Sequence, residues 1–175
     1  MKPFAKYGVW TGILSGLWGL VSFTVVGWLN IAAFHGNIPA TQIRSYSGLF
    51  SLIILALGIY FGLKQARARN GNSLTYRQTV KTGIPIAIIT AVLVAIFSWF
   101  YCAVLNPGYA DFMVRDVQRS MAAAGKSPAD IVRAADSARK EFSTGAQVAQ
   151  ALIGQAVAGT LITLILGLFL RTKNK

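Results

Sequence analysis

The sequence predicts an all-α integral membrane protein: a four-helix bundle with an extramembrane helical hairpin between helices three and four. Three observations carry that prediction. The chain is 54% hydrophobic and only 13% charged, well below the roughly 25% charged residues of an ordinary soluble domain. Its apolar residues gather in four charge-free runs, Tyr7–Ile43 (interrupted by polar residues after Phe34), Ser45–Leu63, Thr82–Ala110 and Phe142–Leu170, which reach or approach the ~20 residues that cross a hydrocarbon core. All five acidic residues fall between Asp111 and Glu141, while eleven Lys/Arg stand elsewhere without one Asp or Glu. Lipid offers backbone groups no hydrogen-bond partners, so such runs are expected as helices.

With polar ends trimmed, the spans are expected at about 7–34, 46–64, 80–106 and 146–170, in one membrane domain covering 1–175. The first run follows Lys2 and Lys6, as a signal peptide would. Its apolar stretch is about twice a signal h-region and lacks a small-residue cleavage site after a short core, which favours a retained anchor. Helix two is the weakest span, because only 19 residues separate Arg44 from Lys64; both cations could reach the headgroups by snorkelling. Helix three is expected to carry Pro85 in its first turns, where a missing N–H costs little. Asn106-Pro107-Gly108 should stop it.

Charge sets an orientation. The amino-terminal block, the loop between helices two and three and the tail after helix four together hold ten Lys/Arg; the other side holds seven. That bias places both termini in the cytoplasm of a bacterial inner membrane. Tyr7 and Trp10 then fall near the inner surface, and Trp28, Trp99 and Tyr101 near the outer one, where amphipathic rings prefer to lie. Trp18 falls mid-span and reads as a packing residue.

The segment at about 107–145 has helical signals of its own. Tyr109, Phe112, Met113, Met121 and Ala124 lie near one helical face, and Gly125 suits a C-terminal cap. Ser127-Pro128-Ala129-Asp130 reads as an N-cap, a first-turn proline and an early acid. Ile131, Ala135, Ala138 and Phe142 then form one stripe. This hairpin is too short for a sizeable core, so its stripes should rest on the bilayer surface or on the helix ends.

Gly62-Leu63-Lys64-Gln65-Ala66-Arg67, Gly71-Asn72-Ser73-Leu74-Thr75-Tyr76, Gly83, Tyr101, Pro107, the 111–142 loop and the basic tail form a pattern. In it the chain resembles the bacterial membrane family catalogued as domain of unknown function forty-one ninety-nine, most specifically over residues 58–115. The resemblance implies four membrane helices with a helical insertion before the last. It supplies no reaction.

The strongest packing signal is glycine spacing. Gly8, Gly12 and Gly16 recur every four residues, Gly58 and Gly62 repeat the interval, and Gly154 with Ala158 gives a weaker version. Small residues so spaced let helix backbones approach. Packing within one subunit is the simpler reading; a homo-oligomeric or partner-binding face is the sharper one. Lys64, Arg67, Arg69, Arg77 and Lys81 form a basic loop that sets topology and could also contact anionic lipid headgroups. Nucleic acid is not an expected partner: the sequence pI near 10.4 comes without a binding fold or an aromatic platform.

Catalytic signatures are missing. His35 has no Cys, Asp or Glu nearby in sequence, and the acids of the hairpin alternate with cations at spacings such as Asp111 with Arg115 and Asp136 with Lys140, which suit solvated helix faces. Cys102 is the sole cysteine and reads as a small packed apolar residue. No cofactor or metal is expected. No ionisable residue lies deep in a span, which argues against ion-coupled transport. Among the polar residues within spans, Gln155 stands out because its amide needs several partners. With Asn30 it is the candidate wall of a polar cleft. The expected role is a non-enzymatic accessory or scaffold subunit. A small transporter or lipid-binding protein is the alternative, and a membrane enzyme pairing His35 with a loop acid ranks third.

Overall fold

The computed structural model describes residues 3–22, 24 and 40–170. Asn30, His35 and Trp28 lie outside the described residues, as do Lys2 and the cations of the tail. Six α-helices are described: α1 (Pro3–Val21), α2 (Ala40–Arg69), α3 (Tyr76–Phe100), α4 (Tyr109–Ala123), α5 (Pro128–Glu141) and α6 (Thr144–Leu170). Three are long and apolar enough to cross a membrane, over Ser45–Arg69, Tyr76–Leu105 and Thr144–Leu170. Their outward faces carry exposed Ile53 and Leu57 on α2, Ile88, Val92 and Ile96 on α3, and Ile153, Val157 and Leu161 on α6, apolar surface of the kind that water penalises and lipid tolerates.

α1 is not among those three. Its described part is 19 residues, includes Lys6 and is diluted by glycine. It nevertheless packs along α3 and α2, while α3 packs most extensively on α6.

Helix ends depart from the expectation in instructive ways. α2 runs for 30 residues, or about 45 Å, and so is no marginal span. Its helical hydrogen bonding simply continues through Lys64, Arg67 and Arg69, whose long side chains need no break in the backbone. Gly71 (φ 61°) and Asn72 (φ 59°) then enter the left-handed region, which ends a helix and suits Gly and Asn. α3 begins at Tyr76 rather than near residue 80, because Thr75 forms a capping box: its Oγ accepts from the Gln78 N–H at 3.3 Å, and Gln78 Oε1 accepts from the Thr75 N–H at 2.9 Å. The earlier start puts Pro85 inside the helix and not in its first turns. At the far end, Tyr101–Leu105 widens into a π-helical turn before Asn106-Pro107-Gly108 stops it.

The hairpin forms as its signals indicate. Ser127 caps α5, accepting from the Asp130 N–H at 3.2 Å, and Gly125 takes φ 68° after α4. Ala135 and Ala138 of α5, Phe142 at its C-terminal cap, and Tyr109, Met113 and Val114 of α4 are buried together with Tyr101 and Cys102. Phe112 and Ala124, expected on that face, are exposed instead; Val114 takes the inner position. The hairpin thus rests on the end of α3. Asp111 approaches Arg139 across the hairpin at 3.8 Å, a solvated pair rather than the expected same-helix partner.

A second core lies toward the basic end. Leu55, Ile59 and Leu63 of α2, Leu74, and Ile86 and Ala87 of α3 are fully or almost fully buried there, with Tyr7, Ile162 and Leu166 packed against them.

Candidate ligand-binding cleft

At the basic end, glycines meet side chains of neighbouring helices. A Cβ on Gly8 would stand 2.9 Å from Ile89 Cβ, and one on Gly12 2.6 Å from Leu93 Cδ1. Gly58 faces Thr11, Gly62 faces Ile86 and Tyr7, and Gly16, farther along α1 at the edge of the cavity described below, faces Phe97. These five glycines therefore line contacts inside one chain. Three further positions escaped the sequence reading: Gly83 against Thr163, Gly159 against Ala87, and Gly167 against Tyr76 and Thr79. The signal was available, since Gly83, Ala87, Ala91 and Ala95 repeat every four residues opposite Gly159, Thr163 and Gly167. Buried threonines join the same contacts; the Thr90 hydroxyl donates to the Gly8 carbonyl at 3.3 Å.

Toward the hairpin the pattern reverses. Gly19, Gly48 and Gly154 have no heavy atom within 4 Å of where a Cβ would stand, and all three line a cavity of about 580 Å³ between α1, α2, α3 and α6. Gly154 therefore departs from the packing role its spacing suggested. The interhelical row on α6 is offset by one residue, through Gly159, and Ala158 sits half-buried between that row and the cleft.

Polar ties join the helices that wall the cavity. The Trp18 indole N–H donates to the Ser47 carbonyl at 3.1 Å, and Ser22 and Ser47 share a hydroxyl hydrogen bond of 2.6 Å. Trp18 also packs against Phe50 in a tilted arrangement, 5.2 Å between centroids and 41° between ring planes. On the opposite wall Gln155 Nε2 donates to Ser51 Oγ at 2.8 Å. The roof is aromatic: Tyr109 meets Tyr101 edge-on at 5.7 Å and Phe142 at 6.2 Å. Gln147, beneath the hairpin, donates to the Glu141 carbonyl at 2.9 Å.

Two lining groups are unmatched. Ser15, only 2% exposed, has no partner for its hydroxyl, and Gln155 has none for Oε1. A buried polar atom left unpaired costs about 1–3 kcal/mol. Ser15 of α1 and Gln155 of α6 both border the cavity, although the unpaired atoms themselves are buried and present almost no surface to it. The remaining lining includes Trp18, Leu20, Leu52, Val94 and Phe97, and among the described residues no Asp, Glu, Lys, Arg or His. Such an arrangement can enclose an apolar body and make a few neutral hydrogen bonds to it.

The basic loop lies at the other end. Lys64, Arg69, Arg77 and Lys81 are exposed, and Arg67 Nε donates to the Asn72 carbonyl at 3.0 Å. Among the described residues no three of His, Cys, Asp and Glu gather as metal ligands would.

No curated protein and no solved structure matches this chain. A family model does, that of "Protein of unknown function (DUF4199)", over residues 6–172. With a match across nearly its whole length, and with helices suited to a membrane, the chain belongs to that family of unknown function.

Proposed function

We propose that this protein binds a small, largely apolar molecule taken from the bilayer, and that the cleft between α1, α2, α3 and α6 is where it binds. On this reading it is a lipid-binding protein or small transporter without enzymatic chemistry. α1 serves as the fourth span of a four-helix bundle in the bacterial inner membrane, with both termini cytoplasmic. The observation that carries the reading is the open glycine lining. Gly19, Gly48 and Gly154 widen a cavity of about 580 Å³, within the range of small-molecule sites, whereas the glycines of the basic end are closed over by side chains. The five cations of the basic loop would sit against anionic headgroups and fix the depth of the bundle.

The test is native mass spectrometry of the full chain released from mild detergent after extraction from its membrane. A retained small molecule is expected on the wild type and is expected to be lost in Gly154→Leu, which fills the cleft. Equal retention by both would sink the proposal.

The rival is the accessory or scaffold subunit, with a homo-oligomer or another membrane protein as partner. It is favoured by exposed Phe112 and Val132 on the hairpin. Its working surface would be that hairpin, because the regularly spaced Gly8, Gly12, Gly16, Gly58 and Gly62 are met by side chains of the same chain. Double substitution of Phe112 and Val132 by Ser should release a partner copurified in mild detergent if the rival holds. On the cleft reading it leaves the small-molecule adduct in place.

A further inference from the structure

We infer that the exposed crest of α4, Phe112 with Arg115 and Arg119, is a docking surface for anionic phospholipid headgroups on the hairpin's side of the bilayer. The inference is independent of the cleft and of any guest bound there.

Helix geometry separates the two sides of α4. Tyr109, Met113 and Val114 are buried, and Val117 packs against them. Phe112, Arg115 and Arg119 are exposed. Their spacing of three and then four residues sets them in one row on the opposite side. Packing the hairpin onto the end of α3 therefore leaves this row turned outward.

The row carries charge of one sign. Asp111, which its spacing offers to Arg115, lies instead 3.8 Å from Arg139 of α5. Asp130 is engaged by Arg133 at 2.8 Å within α5. Asp116 is half-buried at the flank of the row. The crest thus presents an aromatic ring and two guanidinium groups. Guanidinium is a fixed cation whose fork of N–H donors matches phosphate oxygens, and an aromatic ring beside cations is the composition of helices that lie at a membrane interface.

Position names the occupant. The apolar span of α3 runs to Leu105. Val104 and Leu105 are each 53% exposed, so the lipid-suited face continues to the root of the hairpin. Only Asn106-Pro107-Gly108 separate it from α4. Phe112 stands in the first turn of α4, about 5 Å along the axis from Tyr109, and the headgroup layer is about 5–8 Å deep. Arg115 follows one turn later, a distance that an arginine stem spans. Engaging Arg119 as well requires α4 to lean toward the bilayer.

The test is nitroxide accessibility on the full chain in lipid nanodiscs. Phe112→Cys in a Cys102→Ala background is spin-labelled. Its collisions with oxygen, which concentrates in lipid, are compared with those with a water-soluble nickel chelate. The discs contain phosphatidylcholine alone or mixed with phosphatidylglycerol. Position 112 is expected to favour oxygen over nickel, and to do so more strongly in the mixed discs. That gain should vanish in Arg115→Gln, Arg119→Gln, and should shrink as salt rises to about 1 M, where the Debye length is about 3 Å. A thermal melt reports the fold of each variant. If Cys102→Ala melts early, the native background serves, because Cys102 is 5% exposed and brief labelling spares it. Nickel access equal to that of the free nitroxide in water overturns the proposal, since the crest then faces solvent. Shielding from both reagents overturns it too, because a protein surface then covers Phe112. An oxygen preference indifferent to phosphatidylglycerol and to both arginines overturns the headgroup assignment.

Discussion

The two ends of this helix array use the same residue for opposite purposes. Near the basic end, Gly8, Gly12, Gly58, Gly83, Gly159 and Gly167 each meet a side chain from another helix. Near the hairpin, Gly19, Gly48 and Gly154 meet nothing and border a cavity. Glycine in a helix weakens it by about 1 kcal/mol relative to alanine in the aqueous scale. At the basic end that loss is offset by close helix approach and the dispersion contacts it permits. At the hairpin end no such contact compensates. One end of the array is packed and the other is hollow, so close helix contact and open space are separated along the helix axis.

The strongest way to break the comparison is Gly159→Leu. A Cβ there already collides with Ala87 Cβ and stands 3.3 Å from its Cα, so the obstacle includes backbone that cannot rotate away. Overpacking usually costs about 1–3 kcal/mol, more where backbone must move. Gly159→Leu is expected at or above the top of that range, about 3 kcal/mol, as a large fall in melting temperature in detergent. A melt like that of the wild type would show that the α3–α6 contact is looser than the glycine environment implies.

Phe142→Ala comes next and probes the roof. Phe142 is 4% exposed and packs edge-on against Tyr109, and truncating a buried phenylalanine costs about 3 kcal/mol or more. Here the loss should be local, loosening the hairpin from the end of α3. Cys102, 5% exposed in the same cluster, is the reporter: its alkylation by a thiol reagent should be slow in the wild type and clearly faster in Phe142→Ala. Unchanged reactivity would mean that the hairpin does not shield this end.

Much of this contrast was hidden from the sequence, for a physical reason. Charge-free runs reveal spans because a bilayer imposes length and apolarity residue by residue, and the hairpin was readable because Ser127, Pro128 and Gly125 act through local backbone chemistry. Gln155 was also readable, since an amide in an apolar run needs partners wherever it lies. The cleft was not. Gly154 and Gly159 are the same residue five positions apart on one helix, yet one faces space and the other faces Ala87. Five residues turn a helix by about 140°, so the two lie on different faces, and the small-residue repeats of α3 and α6 hint at which face is packed; that the other face borders a hollow depends on how several helices meet. The start of α3 was misplaced for a smaller reason: Thr75 and Gln78 form a capping box that a hydropathy window passes over, because Arg77 and Lys81 lie within it.

A cap in the hairpin should matter less than the roof contact. Ser127→Ala removes the acceptor for the Asp130 N–H and the 2.6 Å hydroxyl bond to Asp130 Oδ2. The usual cost of losing such a cap is about 1 kcal/mol. It should appear as faster amide hydrogen exchange in the first turn of α5, with Cys102 still protected. Cys102 exposure as large as in Phe142→Ala would mean that the cap, and not the aromatic cluster, holds the hairpin down.

The smallest effect on stability is expected from Gly154→Leu, and its smallness is the point. No heavy atom lies within 4 Å of the new Cβ, so the side chain enters space that is already present. Removing a helical glycine favours the folded state, while desolvating the nearby Gln155 amide opposes it. The net change should stay within about 0.5 kcal/mol, the range of substitutions that disturb no packed feature. Set beside Gly159→Leu, the pair measures the contrast with the chemistry held constant: the same residue, the same replacement and the same helix, five positions apart. If both variants lose stability alike, the hairpin end is packed after all and the cleft is not a cleft. If only Gly159→Leu does, the hollow is a standing feature of the fold that needs no ligand to hold it open.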